Sequence, residues 1–478
     1  MKKLCILLSV MFFAAFLTAC GSADAKPELT GSQPADAAAE TPADESAGSS
    51  PKYDFNGSVF KFPGGPNETI PVLSAPEEEM NGEVVNDAQI ERNRKIEEEY
   101  NVRIEYPNIS DLASSIIKAV SAGDTICDLY VGPLCDGKGY MSSVFLAGCL
   151  RDLREMNELK LDSSWYSQLC NEQFIINGRQ FFASGDVAIA SYIGPACIYL
   201  NLNLADNYSL DTGLIYGQVD DGKWTHDVFY GYHNGLDADL NGDGKIEPKG
   251  DFFGVVNESN DLTAAVFLAS CGVRMSEMED GKLTVNLDTD KAVNVIGKMH
   301  ELFTAFSCEN VYLYDNIYKE GRALFAVHYT ESTIRRFRDM EDDYVILPMP
   351  KWDEQQSGYS CYINPWTSSF FSIPLILENE EMAAVITEAL AYESKQILRP
   401  AIYEVTLKGK AARNEECQKM LDLVFDTTYL DYNSIFNFGG SLSAARNGIF
   451  GKADFASKYA SLEPKITADI ESFMQNFE

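Results

Sequence analysis

Two periods of apolar and polar residues alternate along the chain, and the switches between them predict alternating strands and helices. SVFKF (58–62) and TIPVL (69–73) predict early strands, and NDAQIERNRKIEEEY (86–100) predicts a charged surface helix capped by Asn86 or Asp87. NVRIEY returns as a strand, and Asp111 opens a helical stretch to about Ser121. TICDLYV (125–131), a nearly unbroken apolar run closed by Gly132-Pro133, predicts a buried parallel strand. Strand, helix, strand, helix, strand is an α/β signature. Ligands in such sheets sit where strand carboxyl ends open into loops, so the turn after Val131 and the Ser184-Gly185-Asp186 turn after RQFFA are candidate rims.

Further along, the helical period dominates. Thr225 caps HDVFYGYHNGL, LTAAVFLASCG ends at Gly272, and DTDKAVNVIGKMHELFTAF carries apolar residues at helical spacing. RALFAVHY (322–329) and DYVILP (343–348) predict strands separated by a helix at 331–340, and several helices follow from about 378. No repeat of fixed period is present.

The beginning of the chain belongs to neither pattern. Lys2 and Lys3 precede an uncharged apolar run from Leu4 to Leu17, too short to span a bilayer and closed by Thr18 and Ala19, which is the layout of an export signal. Leu17-Thr18-Ala19-Cys20 resembles the lipobox of bacterial lipoproteins, in which the cysteine is diacylated and becomes the first residue; two acyl chains anchor a protein firmly to a membrane. Residues 20–52 hold mainly Gly, Ser, Ala, Pro, Thr, Asp and Glu and predict a disordered tether. The remaining body exceeds what one core usually organises, so two lobes are expected.

With 72 acidic and 38 basic residues, the formal charge is −34, which repels polyanions and excludes nucleic acid as a partner. Much of this acidity is a solvated exterior. Of eleven cysteines, Cys5 lies in the signal and Cys20 at its end, leaving nine in the body. They form no CxxC pair and sit in apolar contexts, as small buried side chains do.

Candidate chemistry is sparse. DLNGDGKIE (239–247) spaces oxygen side chains as a calcium loop does, giving Asp239, Asn241, Asp243, Lys245, Glu247 and Asp251 as candidate ligands of a structural Ca2+. Closure at position 12 falls on Gly250, and Asp251 comes one residue late, so a polar turn held by Asx hydrogen bonds is the competing reading. The four histidines show no zinc spacing, and no nucleophile elbow, P-loop or dinucleotide fingerprint occurs. Aromatic residues at loop or strand ends are more informative: Trp366 in YINPWTSS, Trp224 in GKWTHD, Trp165 in DSSWYS and Tyr192 in SYIGP. An aromatic face stacks on a sugar's C–H face while placed polar groups meet its hydroxyls.

GEVVNDAQIERNRKIEEEYNV, AGDTICDLYVG, ASGD with YLNLNLAD, DDGKWTHDVF with DLNGDGKIEPKGDFFGV, EGRALFAV, ILPMPKWDEQQSGY and LRPAIYEVTLKGKAARNEE follow one another along most of the body. In that order they resemble the extracellular solute-binding lipoproteins of bacterial carbohydrate ABC transporters, of the family 1 type. The resemblance implies a two-lobed periplasmic-binding-protein-like (type II) α/β fold with a hinge of crossing strands and an inter-lobe ligand cleft. The expected boundaries are a signal at 1–19, a tether at 20–52, lobe 1 at 53–186 with about 312–350 returning to it, and lobe 2 at 187–311 and 351–478. Trp366 is expected to stack on the solute, with Asn364, Tyr192, Asp186, Glu331, Arg335 and Trp224 as further contacts. A monomer is expected, handing a sugar to ABC permease subunits while held to the outer face of the membrane by lipidated Cys20. A surface glycoside hydrolase or lyase, and a calcium-stabilised adhesion module, are the other readings the residues leave open.

Overall fold

The computed structural model describes residues 53–63, 76, 79–187, 189–303, 307–308, 311–337, 339–407, 415–451 and 454–477. The signal, Cys20, the tether and the expected strand at 69–73 lie outside them. β1 (Ser58–Lys61) and β2 (Val102–Glu105) pair in parallel, and the helix Val84–Tyr100 lies between them in sequence. This helix begins earlier than its expected caps. Glu83 takes the cap position, its carboxylate accepting from the Val85 and Asn86 N–H groups, while Asp87 accepts from Asn81 and Gly82. A carboxylate there satisfies orphan donors and complements the positive end of the helix.

β3 (Tyr130–Gly132) is shorter than TICDLYV suggests. Asp128 and Leu129 N–H both donate to the Lys61 carbonyl, and the Asp128 carboxylate accepts from the Lys61 N–H at 2.7 Å. A side chain thereby takes the place of a backbone acceptor, so the run lies beside β1 without forming a ladder.

The strands of the second lobe follow: β4 (Ala196–Asn201), β5 (Phe253–Glu258), the hairpin of β6 (Ser276–Glu279) and β7 (Lys282–Val285), β8 (Ser307–Cys308), β9 (Ala323–Tyr329) and β10 (Tyr344–Pro348). One five-stranded sheet has the order β10-β4-β9-β5-β8, with β4 antiparallel to β10 and β9, and β5 parallel to β9 and β8. Every residue of β4, β9 and β10 is buried, as central strands covered on both faces require. Ala196 faces Tyr329 across the ladder, so the start of β4 and the ends of β9 and β5 share one edge of the sheet.

β11 (Cys361–Tyr362), β12 (Phe370–Ser372) and β13 (Thr428–Tyr429) complete the strands. β11 pairs with β13, whereas β12 runs antiparallel to β3 in the first lobe, and the helix Glu380–Leu407 packs on Val84–Tyr100. Lys95 meets Glu393 at 2.7 Å, and the buried Arg92 donates to Ser394 Oγ at 3.0 Å and to the Val187 carbonyl at 3.2 Å. The expected lobe assignment is therefore corrected in two places. Residues 312–350 supply β9 and β10 to the second lobe's sheet, and the stretch that returns to the first lobe runs from about 365 through the helix beginning at Glu380. A strand that is apolar throughout, such as ALFAVHY, carries no label of the sheet it enters.

Trp224 is fully buried, donating from Nε1 to the Pro348 carbonyl at 3.0 Å and packing on Phe229, so it is a core residue of the second lobe and not a solute contact. Thr225 caps the next helix as expected, accepting from Val228 N–H. The described body cysteines Cys127, Cys135, Cys149, Cys170, Cys197, Cys271 and Cys361 are free and buried, and Cys417 is buried beside the Tyr216 hydroxyl.

Two segments cross between the lobes and are joined by isolated antiparallel bridges, Ala183 to Phe371 and Pro195 to Ile363. They touch most closely at Gly194, where a Cβ would fall 1.4 Å from Ser368 Oγ and 2.7 Å from Ser368 Cβ. Only glycine fits without moving a crossing segment. Gly194→Ala is expected to destabilise by about 1–3 kcal/mol, the usual cost of overpacking, and Ser368→Gly in the same chain should recover part of the loss. Thermal melts of the two single variants and the double variant check this; strictly additive effects would refute the contact.

Candidate functional site

The crossing segment 192–195 organises its neighbours through consecutive backbone groups. The Tyr192 carbonyl accepts from Thr330 Oγ1 at 2.7 Å and Ile193 O from Glu331 N–H at 2.9 Å, while Gly194 O accepts from Asn364 N–H at 2.9 Å and Pro195 O from Thr330 N–H at 3.0 Å. The loop after β9 and the Asn364 turn are thus fixed on its two edges. Asn364, itself buried, accepts the Trp366 N–H on Oδ1 at 3.0 Å, an Asx turn that leaves the Trp366 side chain outside. Trp366 is 50% exposed, and its ring meets that of Tyr140 edge to face at 5.6 Å. Tyr140 lies on the loop after β3, which is tied to the same turn through Leu134 N–H and the Pro365 carbonyl at 3.1 Å.

On the second lobe, the carboxyl ends of β5 and β9 carry a group of polar side chains of which the sequence singled out only Glu331 and Arg335. Tyr329 Oη and Tyr362 Oη are buried without a hydrogen-bond partner among the described residues. Burial, then the proximity of Tyr362, Glu258 and Glu331, pushes the Tyr329 hydroxyl well above its ordinary pKa. Burial likewise raises Glu258. Charges here come in pairs: Glu331 with Arg335 at 2.9 Å, Asp261 with Arg446 at 3.4 Å, and Asp315 with Arg336. His328 Nδ1 accepts the Tyr329 N–H at 2.7 Å, so Nε2 carries the proton and faces Asp315 Oδ1 at 3.1 Å. Tyr329 ends a predicted strand, and the rule that places ligands at strand carboxyl ends points to it. Arg446 has no comparable signal.

Asp186 and Tyr192 come together elsewhere. They line a cavity of about 220 Å3 that also includes Trp165, Lys395, Arg399 and Phe425, and that none of Trp366, Asn364, Glu331 and Arg335 lines. Burial raises the Asp186 carboxyl to about 6, against the opposing influence of Arg399, whose Nη1 lies 3.9 Å from Oδ2. Arg399 is held by Asp426 at 2.7 Å, Asp422 at 3.1 Å and the Tyr403 hydroxyl at 2.6 Å.

In the 239–251 loop the carboxylates bind the loop's own backbone. Asp239 accepts from Gly242 and Gly244 N–H, Asn241 Oδ1 from Asp243 N–H, and Asp243 from Lys245 N–H. Asp251 accepts from Glu247, Leu240 and Asn241, donors that hold its carboxyl below the usual range. Among the described residues no three His, Cys, Asp or Glu side chains converge as a metal site, and no helix is long and apolar enough to cross a membrane. The loop as it stands is an Asx-bonded turn.

No protein-family model and no curated protein matches the sequence. Solved structures do match over nearly their full length. A cyclo/maltodextrin-binding protein in complex with maltotetraose is 14% identical with a TM-score of 0.54, covering 90% of this chain and 98% of its own. UspC from M. tuberculosis is 12% identical with a TM-score of 0.55, covering 86% and 99%, and UgpB from Mycobacterium tuberculosis, in complex with glycerophosphocholine, is 15% identical with a TM-score of 0.53, covering 81% and 95%. At such identities the likeness establishes the fold: a two-lobed, periplasmic-binding-protein-like α/β architecture.

The Asp186 carboxyl gives this fold a measurable pH signature. An unfolded aspartate releases its proton near 3.8, whereas folded Asp186 keeps it to about 6, so between these values the folded chain binds more protons and its stability falls as pH rises. The loss is complete above about 6. A displacement of this size corresponds to about 3 kcal/mol. Asp186→Asn is expected to flatten the slope across this window and to raise stability at neutral pH, read by urea unfolding across the range; an unchanged slope would contradict it.

Proposed function

We propose that this chain is the solute-binding protein of an ABC importer, capturing a sugar or oligosaccharide between its lobes and releasing it unchanged to permease subunits. The reading rests on one observation above all. On a hinged two-lobed fold, the exposed Trp366 stands on the Asn364 turn with its ring against the half-buried Tyr140, and the crossing segment that holds this turn also holds the loop carrying Glu331, which pairs with Arg335. An aromatic face and orphaned hydroxyls suit a ring bearing hydroxyl groups. The paired charges favour an uncharged solute: Arg335, Arg336 and Arg446 are each tied to a carboxylate, which leaves them less free for a phosphate. Of the two solutes in the complexes above, maltotetraose therefore fits the cleft better than glycerophosphocholine.

Solute binding closes the lobes by stabilising contacts available only when both reach it. Nothing in the cleft needs to break a bond, so the protein acts without catalysis, as a monomer on the outer face of the membrane, held by diacylated Cys20. The 239–251 loop is proposed to take Ca2+ as a structural ion, exchanging some backbone hydrogen bonds for metal–oxygen contacts.

Isothermal titration against linear gluco-oligosaccharides should give saturable binding, with Trp366→Ala weakening it at least tenfold and Tyr329→Phe by a smaller factor, while chromatography recovers the ligand intact. Absence of binding across the panel, or hydrolysed product, overturns the reading. Melting with Ca2+ against a chelator tests the loop: a midpoint several degrees higher with Ca2+ is expected, and coincident curves leave the loop as a polar turn.

A further inference from the structure

We infer that the cavity lined by Asp186 and Tyr192 is a second binding site, which takes a small uncharged polyol no larger than one sugar ring. Its volume of about 220 Å3 is several times the roughly 30 Å3 share of a liquid water. It is too small for an oligosaccharide, and its lining is separate from the residues around Trp366 and Glu331.

Its chemistry is specific. Asp186 Oδ2 and Tyr192 Oη are buried atoms that complete no well-formed hydrogen bond among the described residues, although the two side chains lie close enough for a weak mutual contact to bear on both acids. Buried polar atoms left in this state are rare and costly, and a ligand with adjacent hydroxyls satisfies both at once, donating to the carboxylate and pairing with the phenol. Lys395 supplies a donor, having spent one N–H on the Ser164 carbonyl at 2.9 Å. Formal charges on the lining cancel, Asp186 and Asp426 against Lys395 and Arg399, so a net charge on the ligand gains nothing. Arg399 is already turned toward the Tyr403 and Phe425 rings, 5.7 and 5.8 Å from their centroids, which fills the place an organic cation would take. The apolar sides come from Trp165 and Phe425, surfaces suited to the C–H face of a ring.

The cavity also draws on both lobes. Trp165 and Lys395 belong to the first, Phe425 and Asp426 to the second, and Tyr192 to the crossing segment between them. A ligand here touches the crossing segment at Ser191 and Tyr192, without Trp366.

Glucose, myo-inositol and glycerol, titrated into the purified chain, test the inference through intrinsic fluorescence, with Trp165→Phe identifying the reporting indole, and through calorimetry. At least one of the three should give a saturable signal that Tyr192→Phe and Asp186→Ala each weaken about tenfold or more and that Trp366→Ala leaves in place. Tyr192→Phe removes a single atom that completes no well-formed hydrogen bond among the described residues, so the result does not hang on whether Asp186→Ala folds. Lack of a saturable signal up to tens of millimolar refutes the site, as does a signal lost in Trp366→Ala and kept in Tyr192→Phe. Oligosaccharide binding without polyol binding sinks this inference and leaves the solute-binding reading intact; the opposite pattern does the reverse.

Discussion

The pair of antiparallel bridges that join Ala183 to Phe371 and Pro195 to Ile363 is the constraint from which the rest of the molecule is hung. They lie on the segments by which the chain leaves the first lobe and comes back, whose spacing is set where Ser368 presses against Gly194. Every carbonyl from Tyr192 to Pro195 is taken by a group from one flank or the other. The segment leaves a short 3-10 helix at Tyr192, and its successive carbonyls hold Glu331 and Asn364, while the Tyr192 side chain enters the cavity. Arg92, buried and without a carboxylate partner, extends this scaffold by joining the first lobe's two packed helices to the Val187 carbonyl at the start of the crossing.

Charge is handled in opposite ways inside and outside. The chain carries a formal −34, yet the charged groups at the ends of β5 and β9 are largely neutralised in pairs. Surface acidity keeps the body soluble and repels polyanions over tens of ångströms at low salt. Paired groups inside act only at contact, where they offer donors and acceptors in fixed directions. A site built this way discriminates by hydroxyl geometry and not by net charge. The His328–Asp315–Arg336 chain behind β9 stiffens that end of the sheet from below.

What the sequence disclosed was local, and what it hid was not. The Thr225 cap, the strands within RALFAVHY and DYVILP, and the apolar contexts of the cysteines follow from neighbours a few residues away, and all are present. Trp366 reads as exposed because Asn364 and Pro365 make a turn there, and it is. The return to the first lobe was misplaced, because whether β9 or β12 rejoins it depends on partners 130 to 240 residues distant. Trp224 was misread for a related reason: a tryptophan in GKWT looks the same whether its Nε1 faces a solute or the Pro348 carbonyl. Asp186 and Tyr192 were expected around the same solute as Trp366, and only three dimensions show that the cavity they line lacks Trp366, Asn364, Glu331 and Arg335.

The free cysteines carry a consequence for the life of the molecule. Burial pushes the Cys127, Cys135 and Cys271 thiols up to about 12, so almost none is thiolate at neutral pH and oxidants find little to attack. Among the described residues no disulfide staples the body together. The same thiols become a hazard once the body opens, because all are released together. Redox conditions therefore set how long an unfolded copy stays recoverable: reducing ones let it refold, whereas oxidising ones capture it in wrong crosslinks.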